Sequence, residues 1–227
     1  MAKKGYVPLT QENMDYLDQY SQAFRNYGWK DMRVFLHSLC PLLMDNPEIK
    51  MGQGVETAGQ RKPTREEEAE IAVYKNSDDQ LYFPTEGVYK ATLEAAKSAA
   101  RIKNRGVNTI LQAATWFSPP LMMLEHKDGS PVQTWGIDTR RVVNKSKGAV
   151  LGSRPVVPEW YASILVQYSD SVDPVNVVLR EIARGGLTVG IGAYRIKTAE
   201  GKRGIFGAYE VVKAEFLQPN GEWTVKA

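Results

Sequence analysis

Apolar residues recur at helical spacing from Thr10 to Tyr27, at Met14, Leu17, Tyr20, Phe24 and Tyr27, which predicts an amphipathic helix ended near Gly28. The rhythm then changes. Met32 to Leu39 alternates loosely and is rich in Val, Phe and Leu, as a strand requires, and Cys40-Pro41 closes it. Asp45 to Pro63 holds three glycines and two prolines with few apolar residues, so a loop is expected. Thr64 followed by Glu67 spells a capping box, and the glutamates from Glu66 to Glu70 suit the positive end of a helix macrodipole.

Further along, Leu81 to Pro84 reads as a short strand and Val88 to Lys103 as a helix. Its apolar stripe is Val88, Thr92, Ala95, Ala99 and Ile102, with Lys90, Glu94, Lys97 and Arg101 opposite. Ala113 to Phe117, Leu121 to Glu125 and Val132 to Ile137 read as short strands separated by Pro119-Pro120 and Asp128-Gly129 turns. Asp138 to Arg154 is polar and basic, a loop or hairpin, and Val156 to Tyr168 reads as one long strand. Asp173-Pro174 supplies an N-cap and an N1 proline for a helix packed through Val175, Val178, Leu179 and Ile182 and stopped by Gly185-Gly186. Leu187 to Ile191 and Phe206 to Leu217 are expected as strands, and Glu222 to Val225 as an edge strand. This order suits an α+β fold, a ferredoxin-like (RRM-like) βαββαβ core with inserted loops and hairpins. A doubly wound parallel sheet would need more crossover helices. Residues 1–30 form the expected N-terminal helical extension and 31–227 the main domain, with insertions at about 45–63 and 126–154.

At 227 residues, 43% of them apolar, the chain can build one decorated domain. The longest apolar runs fall far short of the ~20 residues of a membrane helix, and no apolar segment follows Met1-Ala2-Lys3-Lys4, so a cytoplasmic protein with no membrane partner is expected. The single cysteine, Cys40, excludes an intrachain disulfide and a Cys-built zinc site; no metal and no cofactor is expected.

The net charge of +3 is mild, but its distribution is not even. Acidic residues concentrate in the first ninety or so positions, whereas from Ala95 to Arg154 ten bases face only Glu125, Asp128 and Asp138. A second basic run holds Arg180, Arg184, Arg195, Lys197, Lys202 and Arg203. Such asymmetry points to a polyanion.

Gly190, Gly192, Gly204 and Gly207, interleaved with Arg195, Lys197, Lys202 and Arg203, combine backbone freedom with cations, as a phosphate-binding loop needs. A hairpin with turn glycines and solvated lysines is the plainer alternative. The dinucleotide fingerprint lacks its third glycine. Arg140, Arg141, Lys145 and Lys147 lie between Trp135 and the Trp160-Tyr161 pair, a mixture that single-strand binders use. Lys50, Arg61 and Lys62 in the early loop and Lys97 and Arg101 on the helix complete the candidate phosphate contacts. For catalysis the chain offers only His37 and His126. His37, in a strand able to face a groove, is the candidate general base, and an ordinary packed or exposed histidine is the plainer reading.

The strand running into Pro41-Leu42-Leu43-Met44, the helix after Tyr82-Phe83-Pro84-Thr85, and a late loop of the form Gly-x-Gly, basic spacer, Gly-x-x-Gly together resemble the RAMP superfamily. These are the RRM-like proteins of CRISPR effector complexes, the backbone subunit in particular, and the likeness extends to phage proteins of that kind over roughly Met32 to Leu217. The resemblance implies a ferredoxin-like palm, an inserted hairpin or thumb, a glycine-rich loop at Gly190, Gly192, Gly204 and Gly207, and a post-strand loop at Asp45 to Lys62. It also implies head-to-tail self-association into a filament or ring along a single strand of RNA or DNA, effector or replication subunits as partners, and a bacterial or phage-infected cell. Two other readings stay open: a metal-independent endoribonuclease using His37, and a phage structural or interaction protein, or a decoy of host machinery, docking through the Thr10 to Tyr27 helix.

Overall fold

In the computed structural model, residues 19, 22–46, 63–143, 149–197 and 204–225 are described, with 142, 143, 149 and 150 described through their backbone alone. Met32, Val34 and Leu36 are fully buried while Arg33, Phe35 and His37 between them are not, so Lys30–Ser38 (β1) turns one pleat face into the core. Each large side chain buried in this way contributes roughly 1.5–3 kcal/mol. Leu42–Leu43 (β2), Arg65–Ala72 (α1), Tyr82–Pro84 (β3), Thr85–Ala96 (α2), Val107–Ala114 (α3), Thr115–Ser118 (β4) and Leu121–Met123 (β5) follow. Then come Gly136–Val143 (β6), Ala149–Val157 (β7), Tyr161–Tyr168 (β8), a π-helical turn at Pro174–Leu179 that runs into Arg180–Thr188 (α4), Tyr209–Leu217 (β9) and Trp223–Val225 (β10).

The result is an α+β fold with antiparallel sheets. One sheet has five strands in the order β10-β9-β1-β8-β4, with every neighbouring pair antiparallel. α2 and α3 lie between β1 and β4 along the chain, and α4 lies between β8 and β9. Taking β1, β4, β8 and β9 as first to fourth, the spatial order is fourth, first, third, second. β2, β7 and β6 form a three-stranded sheet, and β3 pairs with β5. α2 buries Val88, Ala91, Ala95 and Ala96 in one cluster with Met32, Val34, Leu36, Ile164 and Val166, so the helices cover the inner face of the five-stranded sheet. The outer face carries Arg33, Phe35, His37 and Tyr161.

The capping box at α1 is complete: the Glu67 N–H donates to Thr64 Oγ1 (3.2 Å) and the Thr64 N–H to Glu67 Oε2 (2.8 Å). The basic stretch after Asp138 is a hairpin, and Glu222 to Val225 does add an edge strand on β9. Residues 19 and 22–26 are helical and Gly28, at φ +81°, ends that helix; residues 10–18, 20 and 21 lie outside the described residues.

Several expectations are corrected. Val156 to Tyr168 is two strands in two sheets, because the chain bends at Pro158. Val132 to Ile137 is not a strand of its own. The Val132 N–H donates to the Leu124 carbonyl, and regular pairing begins only at Gly136. The strand expected from Ala113 to Phe117 is present as β4 but starts two residues later, because Val107, Leu111 and Ala114 bury one α3 face at positions i, i+4 and i+7 and keep 113 and 114 helical. α2 begins at Thr85 and ends at Ala96, and Ala99 and Ile102 fall in a turned segment where Lys103 and Asn104 have φ of 46° and 64°. Gly185-Gly186 does not stop α4, which runs to Thr188, so Leu187 to Ile191 is not a strand.

Candidate nucleic-acid interface

Lys90, Glu94 and Lys97 stand at i, i+4 and i+7 on α2 and share one face. α3 sets Asn108 and Gln112, also one helical turn apart, against that row. The third wall is the segment after α4, with Val189, Arg195 and Lys197. Together they line a groove of about 270 Å³ whose apolar part is Ala91, Leu93 and Val189. Four cations and one carboxylate line it, and one of the cations, Lys90, is paired with Glu86 (2.8 Å) one turn earlier on α2.

The glycine-rich segment owes its position to backbone hydrogen bonds with parts of the chain far away in sequence. The Ile191 N–H donates to Gly207 O (2.9 Å), the Ala193 N–H to Leu43 O (2.8 Å), the Gly207 N–H to Pro41 O (2.8 Å) and the Gly204 N–H to Arg195 O (3.0 Å). This approach is closer than a side chain allows. A Cβ on Gly207, whose φ is +69°, would stand 1.8 Å from Ile191 O, and one on Gly204 would stand 1.6 Å from Tyr194 O. These amides are therefore used inside the protein, and what the segment offers the groove is the side chains of Arg195 and Lys197.

Glu94 is the electrostatic centre. Lys97 Nζ is 2.5 Å from its Oε2 and Lys197 Nζ is 3.1 Å from its Oε1. The hydrogen bond from Lys97, then that from Lys197, holds the Glu94 carboxyl below its ordinary range. A carboxyl lowered in this way keeps its ion pairs above the usual carboxylate pKa and loses them as pH falls through the lowered value. At neutral pH it is ionised and holds both lysines.

Of the expected contacts, Lys97, Arg195 and Lys197 meet in this groove. Arg101 is exposed past the end of α2 and does not line it. Arg140, on β6, is gripped by Asp138 (2.5 and 2.6 Å) and lies over the rings of Phe206 (4.6 Å) and Tyr194 (5.1 Å). Arg154, paired with Asp45 (3.1 Å), also lies over the Tyr194 ring, at 5.3 Å. These cation–π contacts fasten the hairpin to the glycine-rich segment, and Asp138, its carboxyl lowered by Arg140, already meets that charge. Arg141 is exposed on the same strand. Arg180 and Arg184, from the second basic run, pair with the fully buried Glu181. Gly190 and Gly192, both at positive φ, sit in the backbone junction. Lys50, Arg61, Lys62, Lys145, Lys147, Lys202 and Arg203 lie outside the described residues.

His37 points away from the groove, on the outer sheet face. Its Nδ1 is 3.0 Å from Glu210 Oε1, its Nε2 is 3.4 Å from Glu159 Oε1, and its ring stacks on Tyr161 at 4.4 Å. Among the described residues no group of three or more His, Cys, Asp or Glu side chains is placed to hold a metal ion. No helix there is long and apolar enough to cross a membrane.

Lys90, Asn108 and Gln112 line the groove without having stood out in the sequence. The i, i+4 spacing of Asn108 and Gln112 is a readable signal, but the sequence analysis assigns no element between Lys103 and Ala113, where α3 lies.

No protein-family model matches the chain, and no curated protein matches it. Among solved structures, a chain in a cryo-EM structure of the Type III-B Cmr-β complex bound to cognate target RNA is similar, with a TM-score of 0.47 and 11% identity. The match covers 90% of this chain and spans 66% of that one.

Proposed function

We propose that this protein is a non-enzymatic binder of single-stranded nucleic acid, RNA or DNA, and that the groove between α2, α3 and the 195–197 segment holds the strand's phosphates. The observation that carries this reading is the convergence of Lys97 and Lys197, about a hundred residues apart, on the Glu94 carboxylate, with Lys90 and Arg195 lining the same groove. Cations brought together at such sequence separation serve a polyanion better than they serve stability, since exposed ion pairs contribute about 0–1 kcal/mol. The fourth-first-third-second strand order, with helices on one face, supports a ferredoxin-like core and the RAMP-type reading. Self-association along the strand belongs to the same proposal. The placement of His37, held by two glutamates on the sheet face away from the groove, speaks for binding over cleavage.

Fluorescence anisotropy of a labelled single-stranded 40-mer, titrated at several salt concentrations, tests it. Binding at low salt that weakens steeply as salt rises is expected, and the stoichiometry reads self-association along the strand. Absence of binding at micromolar protein and low salt overturns the proposal.

Glu94→Gln gives a sharper check, because most substitutions in a binding site weaken it. Removing one negative charge about 4 Å from a bound phosphate is worth about 1 kcal/mol in a water-like dielectric, so affinity is expected to rise about fivefold. The same change should flatten any gain in wild-type affinity on acidification that comes from Glu94 protonation. An affinity equal to or below wild type would mean that phosphate does not sit beside Lys97 and Lys197.

A further inference from the structure

The groove has two kinds of wall. The α2 and 195–197 walls are cationic, whereas the α3 wall is made by two carboxamide residues, Asn108 and Gln112, across an apolar floor that includes Leu93 and Val189. Its volume of about 270 Å³ equals that of about nine waters at ~30 Å³ each, the scale of a base with its phosphate. A carboxamide places two N–H donors beside an acceptor oxygen. The Watson–Crick edge of every base likewise carries a donor next to an acceptor, and in a single strand that edge is open. Apolar floor, amide wall and cationic wall therefore match the face, edge and phosphate of one unpaired nucleotide.

Resting on the proposed function, we infer that Asn108 and Gln112 hydrogen-bond the Watson–Crick edge of a base lodged in this groove, and that this contact makes the protein select single strands over duplex. In a duplex the same edges are already paired, so the two amides find no partner and the phosphates alone attract. Because a carboxamide is self-complementary, it suits all four bases, and the selection is for an unpaired base with little preference among sequences.

The test compares three labelled 12-mers of equal charge per strand: a mixed-sequence single strand, the same backbone with abasic sugars, and a duplex. Anisotropy is measured for wild type and for the Asn108→Ala/Gln112→Ala double variant. A near-isosteric Asn108→Leu/Gln112→Met variant, checked by circular dichroism, guards against loss of fold. Wild type is expected to bind the normal strand about tenfold more tightly than the abasic one. Both variants are expected to keep at most about a twofold preference, from the apolar floor, with an unchanged salt slope and unchanged duplex affinity. Retention of the full tenfold preference by the variants, or its absence in wild type, overturns this inference and leaves phosphate binding standing. Failure of wild type to bind any of the three overturns both.

Discussion

Gly186→Ala is expected to lower stability by about 3–5 kcal/mol, although alanine in an ordinary helical position is worth about 1 kcal/mol more than glycine. Gly186 lies inside α4 with no positive φ, so local propensity favours the change. The obstacle is Tyr209, at the start of β9. A Cβ at position 186 would stand 2.1 Å from its carbonyl oxygen and 2.6 Å from its ring, and the residue is fully buried in the central sheet, with no room to retreat. For a chain of this size such a loss lowers Tm by roughly 6–20 °C in a thermal melt. Gly221→Ala is the matching control: its φ of +83° is strained for alanine, but nothing lies within 4 Å, so it is expected to cost only about 1–2 kcal/mol. Equal Tm values for Gly186→Ala and wild type would contradict the contact between α4 and β9.

The largest functional effect is expected from Lys97→Glu combined with Arg195→Glu and Lys197→Glu. All three side chains line the groove, and reversing them turns an excess of positive charge into an excess of negative. Single-strand affinity at low salt should fall at least about a hundredfold. Three phosphates then go without a neutralising cation, so the magnitude of the salt slope should fall by about 2, at roughly 0.7 per phosphate. The fold should persist: exposed charge changes such as those at Lys97 and Lys197 generally shift stability by less than about 0.5 kcal/mol each, and half-buried Arg195 gives up one hydrogen bond, to Lys197 O, worth about 1 kcal/mol. Reversal of Arg105 and Lys127, exposed but outside the groove, is the comparison and should change affinity only slightly. If both sets weaken binding alike, diffuse attraction and not the groove accounts for it.

The elements legible in the sequence were those whose signals are local. The Thr64 capping box, the Asp173-Pro174 start and the alternation of Met32, Val34 and Leu36 each follow from neighbouring side chains, and each is present. Asp173 Oδ1 accepts from both Val175 N–H and Asn176 N–H at 2.9 Å. The misread segments depend on distant parts of the chain. Gly185-Gly186 looks like a helix stop, but the pair serves close approach: a Cβ on Gly185 would meet the Ala91 backbone at 2.9 Å. Arg140 looks like a free cation until Asp138, Phe206 and Tyr194 are placed around it. The cationic groove was half legible. Lys97, Arg195 and Lys197 stood out as bases, but their meeting at Glu94 follows from topology alone.

The junction at Pro41, Leu43, Ile191 and Gly207 also sets an order of events. The carbonyls of Pro41 and Leu43 are synthesised early, and their donors, Gly207 and Ala193, emerge from the ribosome some 150 residues later. At about 5–20 residues per second the N-terminal strands wait roughly 8–30 s for the segments that complete them. Arg195 and Lys197 take their places in the groove only when that late junction closes, so a nascent chain has no finished groove with which to catch nucleic acid near the ribosome.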